Sequence, residues 1–239
     1  AMARMDVIAN NVANSHTTGF KGDEPVFTLN DFSPPQFAGE PRDAVIGQRA
    51  ILQPLLVEVA GVETDFSQGA LRETGNPLDV AIQGPGFFVV GGRDGFAYTR
   101  RGDFALNADG ELVTNTGALV IGKSGPISLG AGKVVIDEEG NVSLDGQHVD
   151  TLRIVDFPGP GRLVKSDGTM FRSVQAGDEG TKVDAPRVHQ GFLEESNVSV
   201  VQELVNMIET SRAYEAYQRV VSSFLGERGI FSRAVNDVG

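Results

Sequence analysis

Three histidines, His16, His148 and His189, lie far apart in the chain, and none has a second histidine or a carboxylate at the spacing that sets two metal ligands on one helix face. No metal centre is expected from them. Asp65, Glu73, Asp79 and Asp103 could supply the two carboxyl groups of sugar hydrolysis, which must converge to roughly 5–10 Å. Isolated surface carboxylates are the simpler reading. The acidic runs 107–111 and 137–141 offer the oxygen ligands that calcium takes, but neither carries a glutamate at the twelfth position of a calcium loop, so they read as hairpin turns. Gly84-Pro85-Gly86 precedes an apolar strand pattern, whereas a dinucleotide fingerprint follows one, and it reads as a bend. There is no Gly-x-Ser-x-Gly elbow and no phosphate-binding glycine loop. Catalytic, cofactor-binding and metal-binding residues are therefore all expected to be absent, and the chain is not expected to be an enzyme.

The polar residues that stand out are amides. Asn10, Asn11 and Asn14 crowd the end of an apolar helical pattern that closes at Gly19. Asparagine competes for backbone hydrogen bonds and is a middling helix former. The amides either stop the helix or bond to something beyond it. They are expected to bond backbone groups at a junction there, between subunits.

The elements that would position them are legible from periodicity. Ala1, Met5, Ile8 and Val12 recur at helical spacing, and a turn follows over residues 14–19. Residues 31–64 are punctuated by Pro34-Pro35, Gly39, Pro41 and Gly47 and read as an extended arm, regaining strand character over 51–59. Residues 65–189 carry many short apolar runs: 78–82, 87–90, 96–99, 104–106, 112–114, 119–121, 134–136, 142–144 and 152–157. Asp94-Gly95, Asp109-Gly110 and Asp145-Gly146 separate them as hairpin signals. The pattern predicts a central antiparallel β barrel or sandwich. Ser199 followed by Gln202 reads as a capping box opening a long helix to Leu225, loosened at its end by Gly226 and Gly229. Val201, Leu204, Val205, Ile208, Tyr214 and Val221 form its stripe. The fold class is mainly β with α-helical termini. Residues 1–30 and 190–239 would form one discontinuous helical domain, with the two helices paired as in a coiled coil. The stripe residues Met5, Ile8 and Val12 are expected to meet Leu204, Ile208 or Tyr214, or neighbouring chains.

Composition excludes several classes. The net charge of -12 lacks the basic footprint of a nucleic-acid binder and opposes attraction to an anionic membrane. No apolar run approaches the roughly 18 residues of a membrane helix. The absence of cysteine removes disulfides and thiolate chemistry. An aromatic content of 7% with no Trp disfavours a sugar-binding platform. The opening residues show no basic segment leading into an apolar core, so no secretory signal is expected.

The run Ala9-Asn10-Asn11-Val12-Ala13-Asn14, followed by Thr17-Thr18-Gly19-Phe20-Lys21, closely resembles the N-terminal signature of bacterial flagellar rod and hook proteins. Thr74-Gly75-Asn76-Pro77-Leu78-Asp79-Val80-Ala81-Ile82, with Gly86-Phe87-Phe88, resembles that family's entry into its central β domain. Gln190-Gly191, Glu194-Glu195-Ser196-Asn197-Val198 and Glu203-Leu204-Val205 resemble its C-terminal helix. Within the family, the compact middle and the stretch from Leu152 to Pro158 resemble the proximal rod members more than the distal ones.

The resemblance implies a structural subunit of the basal-body rod in the periplasm-spanning drive-shaft. It would be exported by the flagellar apparatus and stacked helically with copies of itself and other rod proteins. Members usually carry further apolar helix ahead of the position of Ala1. The assembly interface would include Met5, Ile8, Asn10, Asn11, Val12, Asn14, Val201, Leu204, Val205, Ile208, Tyr214 and Val221. The alternatives are a distal rod or hook-type axial protein and, in a different class, a secreted carbohydrate-binding β domain.

Overall fold

A computed structural model describes residues 2–29, 57–92, 95–159 and 161–236. Helix α1 spans Met2–Ala13 and buries Ile8 and Asn11. It stops where the amides begin to serve the backbone: Asn14 N donates to Asn10 O at 3.1 Å, and the Asn14 side chain donates to the same carbonyl at 3.0 Å. Gly19 then turns the chain at φ 66°, in the left-handed region that glycine enters without cost.

The chain leaves along β1 (Asp23–Leu29) and returns along β2 (Val57–Thr64), paired antiparallel from Asp23 with Thr64 to Leu29 with Val57. The predicted arm falls partly here; its residues 31–56 lie outside the described residues. Next come β3 (Leu71–Glu73), β4 (Val80–Gln83), β5 (Phe87–Gly92), β6 (Gly95–Thr99), β7 (Ala105–Leu106) and β8 (Leu112–Val113). Then follow β9 (Val134–Ile136), β10 (Asn141–Leu144), β11 (Gln147–Thr151), β12 (Ile154–Asp156), β13 (Leu163–Asp167), β14 (Met170–Ser173), β15 (Thr181–Lys182), β16 (Arg187–Gln190) and β17 (Phe192–Glu194). Helix α2 spans Val200–Asn236.

The largest sheet runs β13-β14-β6-β5-β12-β15, and a second runs β11-β10-β9. The antiparallel character expected from the hairpin signals is present, but no sheet among the described residues closes on itself into a barrel. The Asp145-Gly146 turn has both residues at positive φ, 50° and 83°, as a two-residue hairpin turn requires. The apolar run 119–121 contributes isolated bridges rather than a strand, with Val120 facing Val90.

Strand β5 explains its own unbroken apolar run. Phe88 and Val90 enter one core with Val80, Phe104 and Val120, while Phe87 and Val89 enter a second with Tyr98 and Phe171. Successive side chains point to opposite faces, so a strand covered on both sides must be apolar throughout.

Two C-terminal expectations need correction. Gln202 donates to Asn206 at 3.3 Å instead of reaching back to Ser199, so the capping box is not closed; Ser199 still begins the helix by accepting from Glu203 N at 3.0 Å. The helix also continues through Gly226 and Gly229, although each interior glycine costs about 1 kcal/mol relative to alanine.

Candidate assembly interface and the junction behind it

Helix α1 lies against the first turns of α2. The face of α2 turned to it carries Glu203, Asn206 and Thr210, spaced at i, i+3 and i+7 so that they share one side. Glu203 Oε1 accepts from Asn11 Nδ2 at 2.8 Å, Asn206 borders the same crevice as Arg4 and Ile8, and Thr210 is buried. Val201, Leu204, Val205 and Ile208 point elsewhere and are 74%, 46%, 44% and 53% exposed. Leu204 and Ile208 thus lie mainly on the other side of α2, while Tyr214, four residues after Thr210, shares the side of Glu203 and Thr210. Ile8 is buried, Met5 and Val12 are half-buried, Tyr214 is half-buried and Val221 is exposed.

The three asparagines divide. Asn11, 2% exposed, donates to Asp23 O and Glu203 Oε1 and accepts from Asp23 N at 2.9 Å, so it ties α1 to both β1 and α2. Asn14 bonds within its own turn, to Asn10 O and Thr17 Oγ1. Asn10 is exposed. Asn11 thus serves the junction within the chain, and Asn14 the turn that follows the helix.

Behind the helices lies a polar cluster that no local pattern announced. Lys21 Nζ donates to Glu194 Oε1 at 2.6 Å and to Ser67 O at 2.5 Å, and Arg100 Nη1 donates to Glu194 Oε2 at 3.3 Å. All three side chains are almost wholly enclosed. Burial holds the Lys21 ammonium below its ordinary range, with Glu194 opposing that effect in part. Burial likewise lowers Arg100. Asn197 completes the joint: its oxygen accepts from Gly22 N at 2.8 Å, and its amide donates to Asp65 O at 2.9 Å and to Ser67 Oγ at 3.0 Å. Lys165 Nζ, from β13, reaches Lys21 O and Asp23 Oδ2 and lies 4.2 Å from the centre of the Phe20 ring. Segments 19–23, 65–69, 194–197 and the six-stranded sheet are pinned at one place. Lys21, Glu194 and Asn197 sit inside recognisable motifs, but nothing local pairs them.

Most of the residues weighed for chemistry are held in structural bonds, while Glu73 and His16 are exposed. Asp65 caps its own turn through Ser67, Asp79 accepts from Asn76, and Asp103 pairs with Arg101. The acidic runs are hairpin turns in which Asn107 and Asp137 accept from backbone amides two and four residues on. His189 bonds Gln83, and His148 bonds Thr151.

Three family models match in chain order. One described as "Flagella basal body rod protein" matches residues 1–21, one as "Flagellar hook protein FlgE/F/G D1 domain" matches 81–144, and one as "Flagellar basal body rod FlgEFG protein C-terminal" matches 189–224. The chain is 35% identical to the flagellar basal-body rod protein FlgG of Buchnera aphidicola subsp. Schizaphis graminum, across 92% of this chain and 89% of that one. It is 32% identical to FlgF of Caulobacter vibrioides, across 92% and 86%, and 35% identical to FlgG of Agrobacterium fabrum, across 92% and 88%.

Proposed function

The chain belongs to the flagellar basal-body rod protein family, and from that premise we propose that it is a structural subunit of the rod that stacks helically with copies of itself and with other rod proteins through its terminal helices. The observation that supports this most is the stripe Val201, Leu204, Val205 and Ile208, exposed on a helix whose opposite side already meets α1. An apolar face of this kind on a surface helix marks an interaction site. Met5, Ile8, Asn10, Asn11, Val12, Asn14, Tyr214 and Val221 would complete the interface or brace it. The chain would divide into a helical layer of residues 1–30 and 190–239, an arm of 31–64 and an outer β domain of 65–189, the two helices pairing in the manner of a coiled coil in the assembly. The flagellar export apparatus would deliver it. The resemblance of the stretch from Leu152 to Pro158 favours the proximal rod, and the slightly higher identity to FlgG favours the distal rod.

Leu204→Asp tests the reading. The side chain is 46% exposed, so purified protein should keep its melting temperature while rods fail to form and cells lose motility. Normal rods in that variant would remove the stripe from the interface. The stage at which rod growth stops in cells lacking the chain separates the proximal from the distal position.

A further inference from the structure

We infer that the apolar stripe of α2 in one copy seats in a groove beside α1 in a second copy. This rests on the reading of the chain as a self-stacking rod subunit and specifies which surfaces meet. The groove, about 1180 Å³, lies between the outer side of α1, the base of the β1–β2 ribbon and β13, the edge strand of the six-stranded sheet. Phe66 and Phe157 line it, and Val62 and Val164, 54% and 51% exposed, present bare apolar surface to it. A second apolar surface, the stripe, exposed among the described residues, stands on the same chain.

Charge matches the two. Asp6 on α1 and Glu63 on β2 border the groove and are exposed, and neither is in an ion pair among the described residues. The face of α2 that bears Val201, Val205 and Ile208 continues at helical spacing into Arg212 and Arg219, also exposed and without an ion pair among the described residues. Glu215 lies between them, leaving that end of the face with one net positive charge. An apolar stripe ending in cations thus faces an apolar groove rimmed by carboxylates, and the match needs no other protein. Because stripe and groove are different patches, a copy docked by one of them can leave one of each open, and where the rotation between copies does not close a ring the contact extends a stack.

The chain has no cysteine of its own, so on this chain thiol cross-linking reports only introduced residues. Val164→Cys and Leu204→Cys are placed in separate copies, produced together, and basal bodies are treated with a short bis-maleimide. A covalent dimer should form in the mixture and be lost when Val149→Cys, on β11 and outside the groove, replaces Val164→Cys. Val205→Cys serves in place of Leu204→Cys if the latter disturbs assembly. Basal bodies that contain both variants and yield no dimer with either stripe position would overturn the inference and leave the rod reading intact, as would cross-links solely to a different rod protein. Absence of the unsubstituted chain from basal bodies would overturn the rod reading itself.

Discussion

Lys21 Nζ lies 2.6 Å from Glu194 Oε1, a residue 173 positions further along the chain, and neither side chain is exposed. Arg100 approaches the other oxygen of the same carboxylate. One anion therefore holds two enclosed cations where the N-terminal segment, the β domain and the approach to α2 meet.

The two ends of this pair should not be equivalent. Removing one partner of a buried pair typically costs about 3–5 kcal/mol, because the other charge is left uncompensated. Lys21→Met leaves Glu194 with Arg100 and should fall at or below the low end of that range. Glu194→Gln strands two cations and should fall at the high end. Urea denaturation of both variants measures the order, and equal losses would show that Arg100 shares little of the charge.

The same lysine sets an alkaline dependence. Burial holds its folded-state pKa below the ordinary 10.5. Between those two values the unfolded chain binds more protons than the folded one, so stability rises with pH at up to about 1.4 kcal/mol per pH unit for a single group. Below the folded value both states are protonated and the desolvation cost is constant. Denaturation followed through the alkaline range should show this slope in the parent chain, on top of the other titrations, and Lys21→Met should remove it.

The asparagine run should separate by position. Asn11→Ala leaves the Asp23 backbone groups and the Glu203 carboxylate without their partner and should cost about 1–3 kcal/mol. Asn11→Asp should cost more, since it sets a second carboxylate against Glu203. Asn14→Ala loses only local turn bonds, and Asn10→Ala should leave the melting temperature unchanged. Thermal denaturation of the four variants tests the ranking.

Two glycines at positive φ make a matched comparison. A Cβ on Gly75, φ 72°, meets nothing within 4 Å, so Gly75→Ala should cost only the conformational penalty of about 1 kcal/mol. A Cβ on Gly19, φ 66°, would sit 2.5 Å from Arg101 N. Gly19→Ala must therefore also push the turn off the β domain, with a larger drop in melting temperature and faster proteolysis beside residue 19.

Element types were readable because their causes are local. Helical spacing in Met5, Ile8 and Val12, the unbroken run Phe87 to Val90, and the Asp145-Gly146 turn each depend on a few neighbouring residues. The short strands β13 to β17 carried weaker patterns. Thr181–Lys182, for example, has no apolar residue to alternate and is held by pairing with Val155 and Asp156. The helix passing through Gly226 and Gly229 shows how weak a single breaker is against a long run of good helix formers.

By itself the sequence determined helical ends, a β middle, the amide-rich stop after α1 and the family. These follow from backbone preference and from side-chain periodicity over at most a few turns. Only the tertiary structure decided that α2 turns Glu203, Asn206 and Thr210 to α1 and leaves its apolar stripe outward, and that Lys21 meets Glu194. A stripe states that a face must be covered and does not name the cover. A lone charge is compatible with water until the fold encloses it, and its partner is set by where two distant segments come to rest.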